Sequence, residues 1–460
     1  MNLLVTGASG MVGQELVLEL ARRGHQLWLC GRSEKKVSMA CPVPHTYVPW
    51  PLESSSDGEL AKIDGVINLV GENVAGRRWT NGVKEKILSS RLDAITDLKA
   101  AFARGQHWPQ VWINASAVGY YGSRGEEALT EGNEKGNGFL ADTCVEWERV
   151  FEKEDFPEEG DVRKAIVRIG VVLGRDGGAL NKMLPLFQNG LGGRLGDGRQ
   201  VMSWIHVEDL VCAMLHIIEK EDLEGIFNGV APNPVSNREF TSLLSKCLGV
   251  PALFPAPKMA LQLVLGEMAV VVLQGQRVLP QKLQEGGYHF SYSHLEEALE
   301  SLLEEEREGG HTLLVRQWTA RPIEEVYDFF SRAENLERIT PEFLQFKIKN
   351  VSTPSLEQGS LIDYRLKLHG IPVNWRTRID EWSPPDGFVD TQLKGPYKKW
   401  HHTHRFEPLA GGTLITDHVR YKVPLGPIGR MIREAWIKKD VEKIFAYRLE
   451  CLEKILSSQP

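Results

Sequence analysis

The sequence predicts an α/β protein with a doubly wound parallel sheet in its first part, followed by a second domain built on an antiparallel sheet. In the first part, short apolar runs such as Asn2–Thr6, Leu27–Cys30 and Gly65–Val70 alternate with stretches of helical periodicity such as Gly13–Arg23. Repeated strand–helix–strand units imply a parallel sheet that helices cover on both faces. From about residue 359 the polar and apolar residues alternate, which is typical of antiparallel strands.

The other predicted elements follow the same two patterns. In chain order they are helix Lys84–Arg104, strands Val111–Ala115 and Ala165–Ile169, helices Leu295–Leu303 and Ile323–Ser331, strands Gly359–Leu368, Val373–Trp382, Gly387–Leu393, Trp400–Glu407 and Thr413–Tyr421, and helix Ile428–Leu456. The last helix carries a continuous apolar stripe, so we expect it to bury that face against the antiparallel sheet.

The length of the chain, 460 residues, is too great for a single hydrophobic core. The acidic, glycine-ended segment 304–310 follows the predicted helix Leu295–Leu303 and marks a linker. We therefore predict one domain over residues 1–303 and a second over 311–460.

The composition is that of a soluble globular protein, with 42% hydrophobic and 25% charged residues. The net charge of −7 gives no reason to expect nucleic acid as a partner, so any bound phosphate must be held by a local site. The six cysteines are scattered and form no Cys-x-x-Cys pair, which argues against a zinc ribbon and a dithiol redox site.

The sequence predicts a cytoplasmic protein without a membrane span. Its first residues run directly into a strand and lack the basic start of a secretory signal. The most apolar window, Met259–Leu279, is interrupted by polar residues and predicts a buried helix.

A glycine-rich turn follows the first predicted strand. Gly7, Gly10 and Gly13 frame it, and Met11 and Val12 open the next helix. Glycine allows a tight turn and lets the backbone approach a pyrophosphate, while a helix N-terminus offers free N–H groups and a favourable dipole. In this strand–helix context the motif predicts a Rossmann-like dinucleotide site, although a merely structural turn would use the same residues.

The end of the second predicted strand points to NADP(H) as the dinucleotide. A carboxylate that would bind the free 2′-hydroxyl of NAD is absent there, and Gly31 is followed by Arg32. The guanidinium of Arg32 would pair with a 2′-phosphate. The alternative is an ordinary surface arginine.

Together with this motif, several segments resemble the epimerase family of atypical short-chain dehydrogenases, which are similar to nucleoside-diphosphate-sugar epimerases. The segments are 68–73 (NLVGEN), 77–79 (RRW), 90–91 (SR), 116–122 (SAVGYYG), 204–210 (WIHVEDL), 229–234 (GVAPNP) and 274–280 (QGQRVLP). The resemblance covers nearly all of residues 1–300.

The resemblance implies further cofactor-binding positions. Leu69 and Val70 would line the adenosine side, Lys86 and Arg91 would project from a helix towards the cofactor, and Val172 would approach the nicotinamide. Each has a simpler alternative, namely the core at a strand end for Leu69, Val70 and Val172, and a solvated helix face for Lys86 and Arg91.

The resemblance also implies an acid–base pair that this chain lacks. Ordinary members use a Tyr and a Lys four residues later, because hydride transfer at a carbinol carbon needs a coupled proton transfer. Phe139 and Thr143 stand at those positions here. Ser116, Tyr120 and Tyr121 are the substitutes that we consider catalytic, with packing as the alternative for the two tyrosines.

Four more residues are candidates for binding or polarising a substrate. They are Arg78, Trp79, Arg168 and His206. For His206 the alternative is a structural histidine oriented beside Asp209.

The second domain resembles the START-like, polyketide-cyclase-like helix-grip superfamily, in which a long helix covers a concave sheet and leaves an apolar cavity. This implies a hydrophobic ligand. The alternative is that large side chains fill the space, namely Trp375, Trp400, Phe406 and Trp436.

Three neighbouring histidines in this domain, His401, His402 and His404, raise the question of a metal site. Only His402 and His404 share a strand face with each other, since His401 points the other way. No nearby cysteine or carboxylate spacing completes a ligand set, so the sequence predicts no metal site.

Two functions remain open from the sequence. One is an NADP-dependent oxidoreductase or epimerase-like enzyme acting on an unidentified small molecule, with nucleotide sugars as one class, fused to a domain for a hydrophobic ligand. The other is a non-catalytic NADP(H)-binding regulator or sensor, which the missing Tyr–Lys pair favours.

Overall fold

The computed structural model describes residues 1–153, 162–175, 177–304, 311–422 and 427–457. Side chains are described for all of these residues except 427–436 and 457. The chain divides into two compact units, the first made of most of residues 1–307 and the second mainly of 308–460. Of the predicted linker, residues 305–310 lie outside the described part, as does the side chain of Trp436.

The strands of the first unit are short and mostly buried. They are β1 (Asn2–Thr6), β2 (Gln26–Gly31), β3 (Thr46–Pro49), β4 (Gly65–Asn68), β5 (Val111–Ala117), β6 (Ala128–Leu129), β7 (Arg163–Ile169), β8 (Val171–Gly174), β9 (Val201–Met202), β10 (Trp204–His206), β11 (Gly225–Gly229), β12 (Val235–Ser236) and β13 (Arg277–Val278).

The helices of the first unit separate these strands. They are α1 (Met11–Arg22), α2 (Glu34–Ala40), α3 (Asp57–Leu60), α4 (Asn81–Gly105), α5 (Phe139–Glu152), α6 (Gly178–Gln188), α7 (Val207–Glu219), α8 (Asn237–Leu248), α9 (Lys258–Leu265), α10 (Val270–Leu273), α11 (Gln281–Glu285) and α12 (Leu295–Leu303). Short 3₁₀ turns occupy Ser54–Ser56, Val118–Tyr121 and Gly266–Ala269.

The first unit is built on a seven-stranded sheet in the order β11-β7-β5-β4-β1-β2-β3. All of its strand pairs are parallel. The strand order reverses direction at β1, so crossovers on either side of this strand leave a crevice at its carboxyl end, where ligands bind in open α/β sheets. The predicted doubly wound sheet is confirmed.

The second unit is a seven-stranded antiparallel sheet with a long closing helix. Its elements are β14 (His311–Thr319), α13 (Ile323–Phe330), α14 (Asn335–Arg338), a 3₁₀ turn (Glu342–Leu344), β15 (Lys347–Val351), β16 (Leu361–Leu368), β17 (Ile371–Ser383), β18 (Gly387–Lys394), β19 (Lys399–Leu409), β20 (Gly412–Lys422) and α15 (Pro427–Ser457). The strand order β14-β20-β19-β18-β17-β16-β15 is that of the predicted helix-grip domain. Its core joins sheet residues such as Ile379 and Phe406 to Leu452 and Leu456 of α15.

The prediction of one buried helix over Met259–Leu279 is wrong. The segment forms α9, a 3₁₀ turn, α10 and β13, and Gly266 with a φ of +61° ends α9. The side chains of Met259 and Leu263 are about four-fifths exposed. Within the described part of the chain, no helix is long and apolar enough to cross a membrane.

Candidate functional site

The glycine-rich turn between β1 and α1 is closed by its own backbone. Gly7 has a φ of +72°, and a Cβ added there would lie 2.9 Å from the backbone of Leu69. The N–H of Gly10 donates to the carbonyl of Gly7 at 3.0 Å. The turn therefore needs glycine at position 7 for two reasons: the backbone is left-handed there, and there is no room for a side chain.

Gly10 and Gly13 face different surroundings. A Cβ on Gly13 would lie 2.4 Å from the carbonyl oxygen of Gly7, so this glycine allows the helix to pack on the turn. A Cβ on Gly10 would lie 3.3 Å from that oxygen, a slightly tight contact, and would have no other neighbour within 4 Å. Gly10 is exposed and is the N-cap of α1, with no side chain capping the helix. A free helix N-terminus beside open space fits an anionic ligand.

Met11 and Val12 form the first turn of α1 and are half-buried. The sulfur of Met11 lies against Gly174 and Gly177, close to the end of β8. Val172 belongs to β8 and pairs with Ile205 of β10. The loop after β8 thus borders the same helix start as the glycine turn.

The end of β2 leaves Arg32 available. The carbonyl of Gly31 accepts a hydrogen bond from Tyr47 at 2.6 Å, and a Cβ on Gly31 would lie 2.6 Å from Val37. Arg32 is exposed, and its guanidinium has no hydrogen bond or ion pair with any described residue. Its charge is therefore free to meet a phosphate.

A buried polar chain joins the carboxyl ends of β1 and β4 to the middle of β5. The hydroxyl of Thr6 donates to the side-chain oxygen of Asn68 at 2.6 Å, and the amide of Asn68 donates to Asn114 at 2.7 Å. The same Asn68 oxygen accepts from the N–H of Val70 at 3.2 Å. These contacts fix Leu69 and Val70 at the edge of the crevice. Sequence reasoning missed this chain, although Thr6 and Asn68, the polar residues that end two apolar strands, were a signal for part of it.

Arg91 and Lys86, both on α4, have different environments. The guanidinium of Arg91 donates to the carbonyls of Ile87 at 2.6 Å and Glu72 at 3.1 Å, and it lies 4.9 Å above the ring of Trp147. Burial lowers its pKa. Arg91 therefore holds the loop after β4 in place, while Lys86 is exposed and makes no ion pair with the described residues.

Ser116, Tyr121 and Arg168 converge on one buried carboxylate network. The hydroxyl of Ser116 donates to Glu148 at 2.5 Å, and Arg168 makes a two-pronged pair with Glu148 at 2.7 and 2.9 Å. Arg168 also donates to the Tyr121 hydroxyl at 2.9 Å, which in turn donates to Asn228 at 2.8 Å. Ser116, Tyr121 and Arg168 are each at most 2% exposed.

The charges of this network hold one another in place. Burial lowers the pKa of Arg168, but the hydrogen bonds and charge of Glu148 outweigh it and hold this pKa above its usual value. Burial raises the pKa of the Tyr121 phenol. A buried ion pair with its hydrogen bonds satisfied is a rigid structural unit.

Tyr120 lies at the edge of this network. Its ring packs under the Arg168 guanidinium, 3.4 Å from the centroid. It is half-buried, and its hydroxyl has no hydrogen-bond partner among the described residues. Of the three candidate catalytic hydroxyls, that of Tyr120 is the one that the structure leaves available.

Phe139 and Thr143 begin helix α5, and neither offers an acidic group. Phe139 packs edge-on against Trp79, with ring centroids 5.0 Å apart. The Thr143 hydroxyl donates to the carbonyl of Phe139 at 2.7 Å. Trp79 donates to the carbonyl of Val74 at 2.8 Å, and Arg78 is exposed.

His206 is the N-cap of α7 and is 4% exposed. Its Nδ1 accepts from the N–H of Glu208 at 3.2 Å, and its ring stacks on Tyr292. Its Nε2 is buried without a partner among the described residues. Burial lowers the pKa of His206 to about 4, so the ring is neutral near pH 7. Asp209 does not hold this ring; it accepts hydrogen bonds from Tyr288, Ser291 and Tyr292.

The second unit contains a cavity of about 170 Å³ between its sheet, α13 and α15. The walls are mostly apolar and include Phe330, Leu366, Trp375 and Ile379. Large side chains therefore line the space without filling it. Such a cavity suits an apolar molecule.

One wall of this cavity carries a buried polar cluster. Asp390, His402, His404 and Arg448 line the cavity, and Asp417 contacts both histidines; all but Asp390 are at most 7% exposed. No carboxylate with suitable sequence spacing accompanies the histidines, but strand pairing places Asp390 of β18 opposite His402 and Asp417 of β20 opposite His404. Carboxylates twelve or more residues away along the chain become neighbours across the sheet.

The comparisons with known proteins divide the chain in the same way. The model of the NAD dependent epimerase/dehydratase family matches residues 3–228, a domain of unknown function (DUF1731) matches 256–302, and the model described as polyketide cyclase / dehydrase and lipid transport matches 319–446. The epimerase family protein YfhF of Bacillus subtilis is 36% identical over 305 residues, which are 66% of this chain and 98% of that protein. A chloroplastic epimerase family protein of Arabidopsis thaliana is 38% identical over 311 residues, 66% of this chain and 87% of its own.

The chain belongs to the NAD-dependent epimerase/dehydratase family. The crystal structure of human epimerase family protein SDR39U1 with NADPH matches with a TM-score of 0.59 and 33% identity, covering 66% of this chain and 99% of the human one. A nucleoside-diphosphate sugar epimerase from Corynebacterium glutamicum matches with a TM-score of 0.53 and 32% identity, covering 66% of this chain and 58% of that one. Both predicted resemblances, to the epimerase family and to the polyketide-cyclase-like superfamily, are confirmed.

The chain has the glycine turn, while Phe139 and Thr143 stand where the resemblance implies an acid–base pair. Phe139 cannot transfer a proton, and the hydroxyls of Thr143 and Ser116 are turned into the protein. Any proton transfer at this site must therefore use another group.

Proposed function

We propose that the first unit binds NADP(H) and uses it to oxidise or reduce a small molecule, and that the second unit binds an apolar molecule in its cavity. The observation that carries the proposal is the open space above Gly10, at an uncapped helix start with Arg32 free nearby. The NADPH in the human family member's structure supports the choice of cofactor. The polyketide cyclase / dehydrase and lipid transport match supports an apolar ligand.

The residues around the crevice fit the parts of this cofactor. Gly7, Gly10 and the N–H groups of Met11, Val12 and Gly13 would hold the pyrophosphate. Arg32 would pair with the 2′-phosphate. When bound, NADP(H) supplies or accepts a hydride at its nicotinamide.

The remaining proposed cofactor and substrate positions lie around the crevice in different environments. Leu69 and Val70 are held at the crevice edge, and Val172 lies on the strand before the loop that Met11 contacts. We propose that Arg168 acts on the substrate only by holding Tyr120 and Tyr121 in place, because its guanidinium is already paired with the Glu148 carboxylate.

Lys86 is an exposed cation that would reach the cofactor from α4, and Arg78 is an exposed cation available to an anionic substrate. A nucleotide sugar, with its diphosphate, is one candidate of that class. Trp79 would contribute an apolar wall beside Phe139, and His206 a neutral ring.

The first test is the preference for NADPH over NADH. We expect Arg32→Ala to weaken NADPH binding roughly 10- to 100-fold, as for the loss of a charge-assisted hydrogen bond, and to leave NADH binding unchanged. Calorimetric titration of both nucleotides into both proteins measures this. Lys35→Ala, which removes an exposed cation on the next helix, is the matched control. Equal affinity of the wild type for NADPH and NADH would refute the role of Arg32.

A non-catalytic NADP(H)-binding sensor is the second candidate. It is favoured by the inward orientation of the Ser116 and Thr143 hydroxyls and by the phenylalanine at position 139. In a sensor, the nucleotide would bind without any group positioned to transfer a proton.

Hydride transfer distinguishes the two candidates. We expect the wild type to move deuterium from NADPH labelled at C4 into a compound of a metabolite extract, detected by mass spectrometry. Tyr120→Phe should reduce the transfer rate at least about 100-fold, because the proton donor is lost. Tyr121→Phe should lower the folding stability, because it removes a buried hydrogen-bonded hydroxyl. The rate of deuterium transfer by the NADPH-bound protein should change less. No transfer by a wild type that binds NADPH would favour the sensor.

A further inference from the structure

The cavity wall of the second unit brings three metal-ligand groups to one point. The Oδ2 atom of Asp390 lies 3.4 Å from Nδ1 of His402 and 3.1 Å from Nε2 of His404. One ligand atom from each of the three residues lies within 4.8 Å of the others. Ligand atoms about 2.1 Å from a shared metal ion are separated by distances of this order.

Asp417 sets the orientation of both imidazoles. Its Oδ1 lies 3.0 Å from Nε2 of His402 and 2.9 Å from Nδ1 of His404. An ionised carboxylate can only accept, so these outer nitrogens carry the protons. The inner nitrogens, Nδ1 of His402 and Nε2 of His404, then present lone pairs towards Asp390.

When both rings are neutral, the three inner atoms are therefore all acceptors, whereas a second proton on His404 would donate across the 3.1 Å contact to Asp390. Buried acceptors that converge in this way are stable when a cation lies among them. Arg448 does not fill this role, because its guanidinium contacts Asp417, 3.3 Å away on the outer side of the histidines. There it balances the charge of the carboxylate that orients both rings.

We propose that Asp390, His402 and His404 form a binding site for a divalent transition-metal ion, with Asp417 and Arg448 as the surrounding residues that position the histidines. Two imidazoles and one carboxylate suit ions such as Zn²⁺, Fe²⁺ or Co²⁺ and are unsuited to Mg²⁺ or Ca²⁺, which prefer oxygen. A carboxylate that accepts from the outer nitrogen of a ligating histidine is the common arrangement around such ions.

The open side of this site faces the cavity. All three ligand residues line it together with apolar side chains such as Ile379 and Phe445, and the ring of Phe445 lies 5.5 Å from that of His402. With three protein ligands, an ion keeps free coordination positions on that side. The site would therefore bind an apolar molecule that carries an oxygen donor, such as a carboxylate, a ketone or an enol, with the oxygen on the metal and the carbon skeleton against the walls.

The test is a Co²⁺ titration of the chelator-treated full-length protein, followed by its visible absorption and by displacement with Zn²⁺. We expect saturation at one ion per chain. Asp390→Asn and His404→Ala should each weaken binding at least about 100-fold, and Asp417→Asn roughly 10- to 100-fold. His401→Ala, on the same strand with its ring against Arg420, is the control and should bind as the wild type does.

A second measurement on the wild type does not depend on how the variants fold. X-ray absorption of the Co²⁺ protein should show two imidazole ligands. A proton shared between His404 and Asp390 would satisfy two of the three acceptors without a metal ion, and in that case Co²⁺ would not bind stoichiometrically. Absence of stoichiometric binding, absence of imidazole ligation, or full retention of affinity in folded Asp390→Asn and His404→Ala would each overturn the proposal.

Discussion

At the scale of single residues, Gly7, Gly10 and Gly13 have equal spacing in the sequence and different surroundings in the fold. Gly7 adopts a left-handed φ, Gly13 touches the turn, and Gly10 borders open space. A substitution at Gly13 should therefore affect packing, and one at Gly10 should affect a ligand.

We expect Gly10→Val to keep the fold and lose NADPH binding, because its side chain would occupy the space beside the free helix N-terminus. Gly13→Val should instead lower the free energy of unfolding by roughly 1–3 kcal/mol or more, since its Cβ would lie 2.4 Å from a carbonyl oxygen. Urea unfolding and calorimetry on both variants measure the two effects. Full NADPH affinity in Gly10→Val would show that the glycines serve packing alone.

Single residues could be selected from the sequence more readily than their partners. Ser116 can be selected from the sequence by its position, but the carboxylate that accepts its hydrogen bond lies 32 residues later on α5. His402 and His404 were recognised as sharing a face, while Asp390 joined them only through strand pairing. Side-chain chemistry is local in the sequence, and the geometry that decides its use is set by tertiary contacts.

At the scale of elements, periodicity predicted most bounds to within a few residues. Strand β1 and helix α12 have the predicted limits, and the closing helix differs by one residue at each end. The edge strands β14 and β15 were missed. Residues of β14 are all partly exposed, so the burial contrast that produces a clear alternation is weak there.

Helix α7 is capped by a titratable residue, His206, so its cap should make the folding stability depend on pH. The pKa of His206 is about 4 in the folded protein and 6.5 in the unfolded chain, because burial disfavours the charged ring. Above pH 6.5 neither state is protonated and the full stability is present. As the pH falls from 6.5 towards 4, the unfolded chain binds a proton that the folded chain does not, and stability is lost.

We expect His206→Asn to remove most of this loss while keeping the cap, since Asn is a good N-cap residue. The variant should gain up to about 3 kcal/mol relative to the wild type between pH 7 and pH 4. Urea unfolding at both pH values measures it, with the exposed His289→Asn as control. Parallel pH profiles for wild type and His206→Asn would contradict the buried, neutral ring.

At the scale of the whole molecule, each unit has a hydrophobic core of its own. One cluster of the first unit contains Trp112, Phe102 and Phe151, and the Trp112 ring contacts both phenylalanine rings. In the second unit, a cluster joins Phe330 and Phe406 to the end of α15. A separate core is the physical condition for independent folding.

We expect the fragment 311–460 to be soluble and to unfold cooperatively, as the predicted domain organisation requires. Its first residues form β14, which pairs with β20 in register from His311 with Tyr421 to Thr319 with Thr413. A fragment that begins at residue 320 would lose this edge strand and leave the backbone of β20 unpaired, so it should aggregate or melt at a lower temperature. Calorimetry of both fragments provides the comparison.

In the full-length chain, NADPH should stabilise one of two unfolding transitions. At about 100 times its dissociation constant it should add about 2.7 kcal/mol to the first unit, because it binds only the folded form. The transition that coincides with the 311–460 fragment should not move. Gly10→Val, which we expect to fold without binding, serves as the control and should show no shift in either transition. A single cooperative transition that NADPH raises as a whole, together with an unfolded 311–460 fragment, would mean that the two units depend on each other for stability.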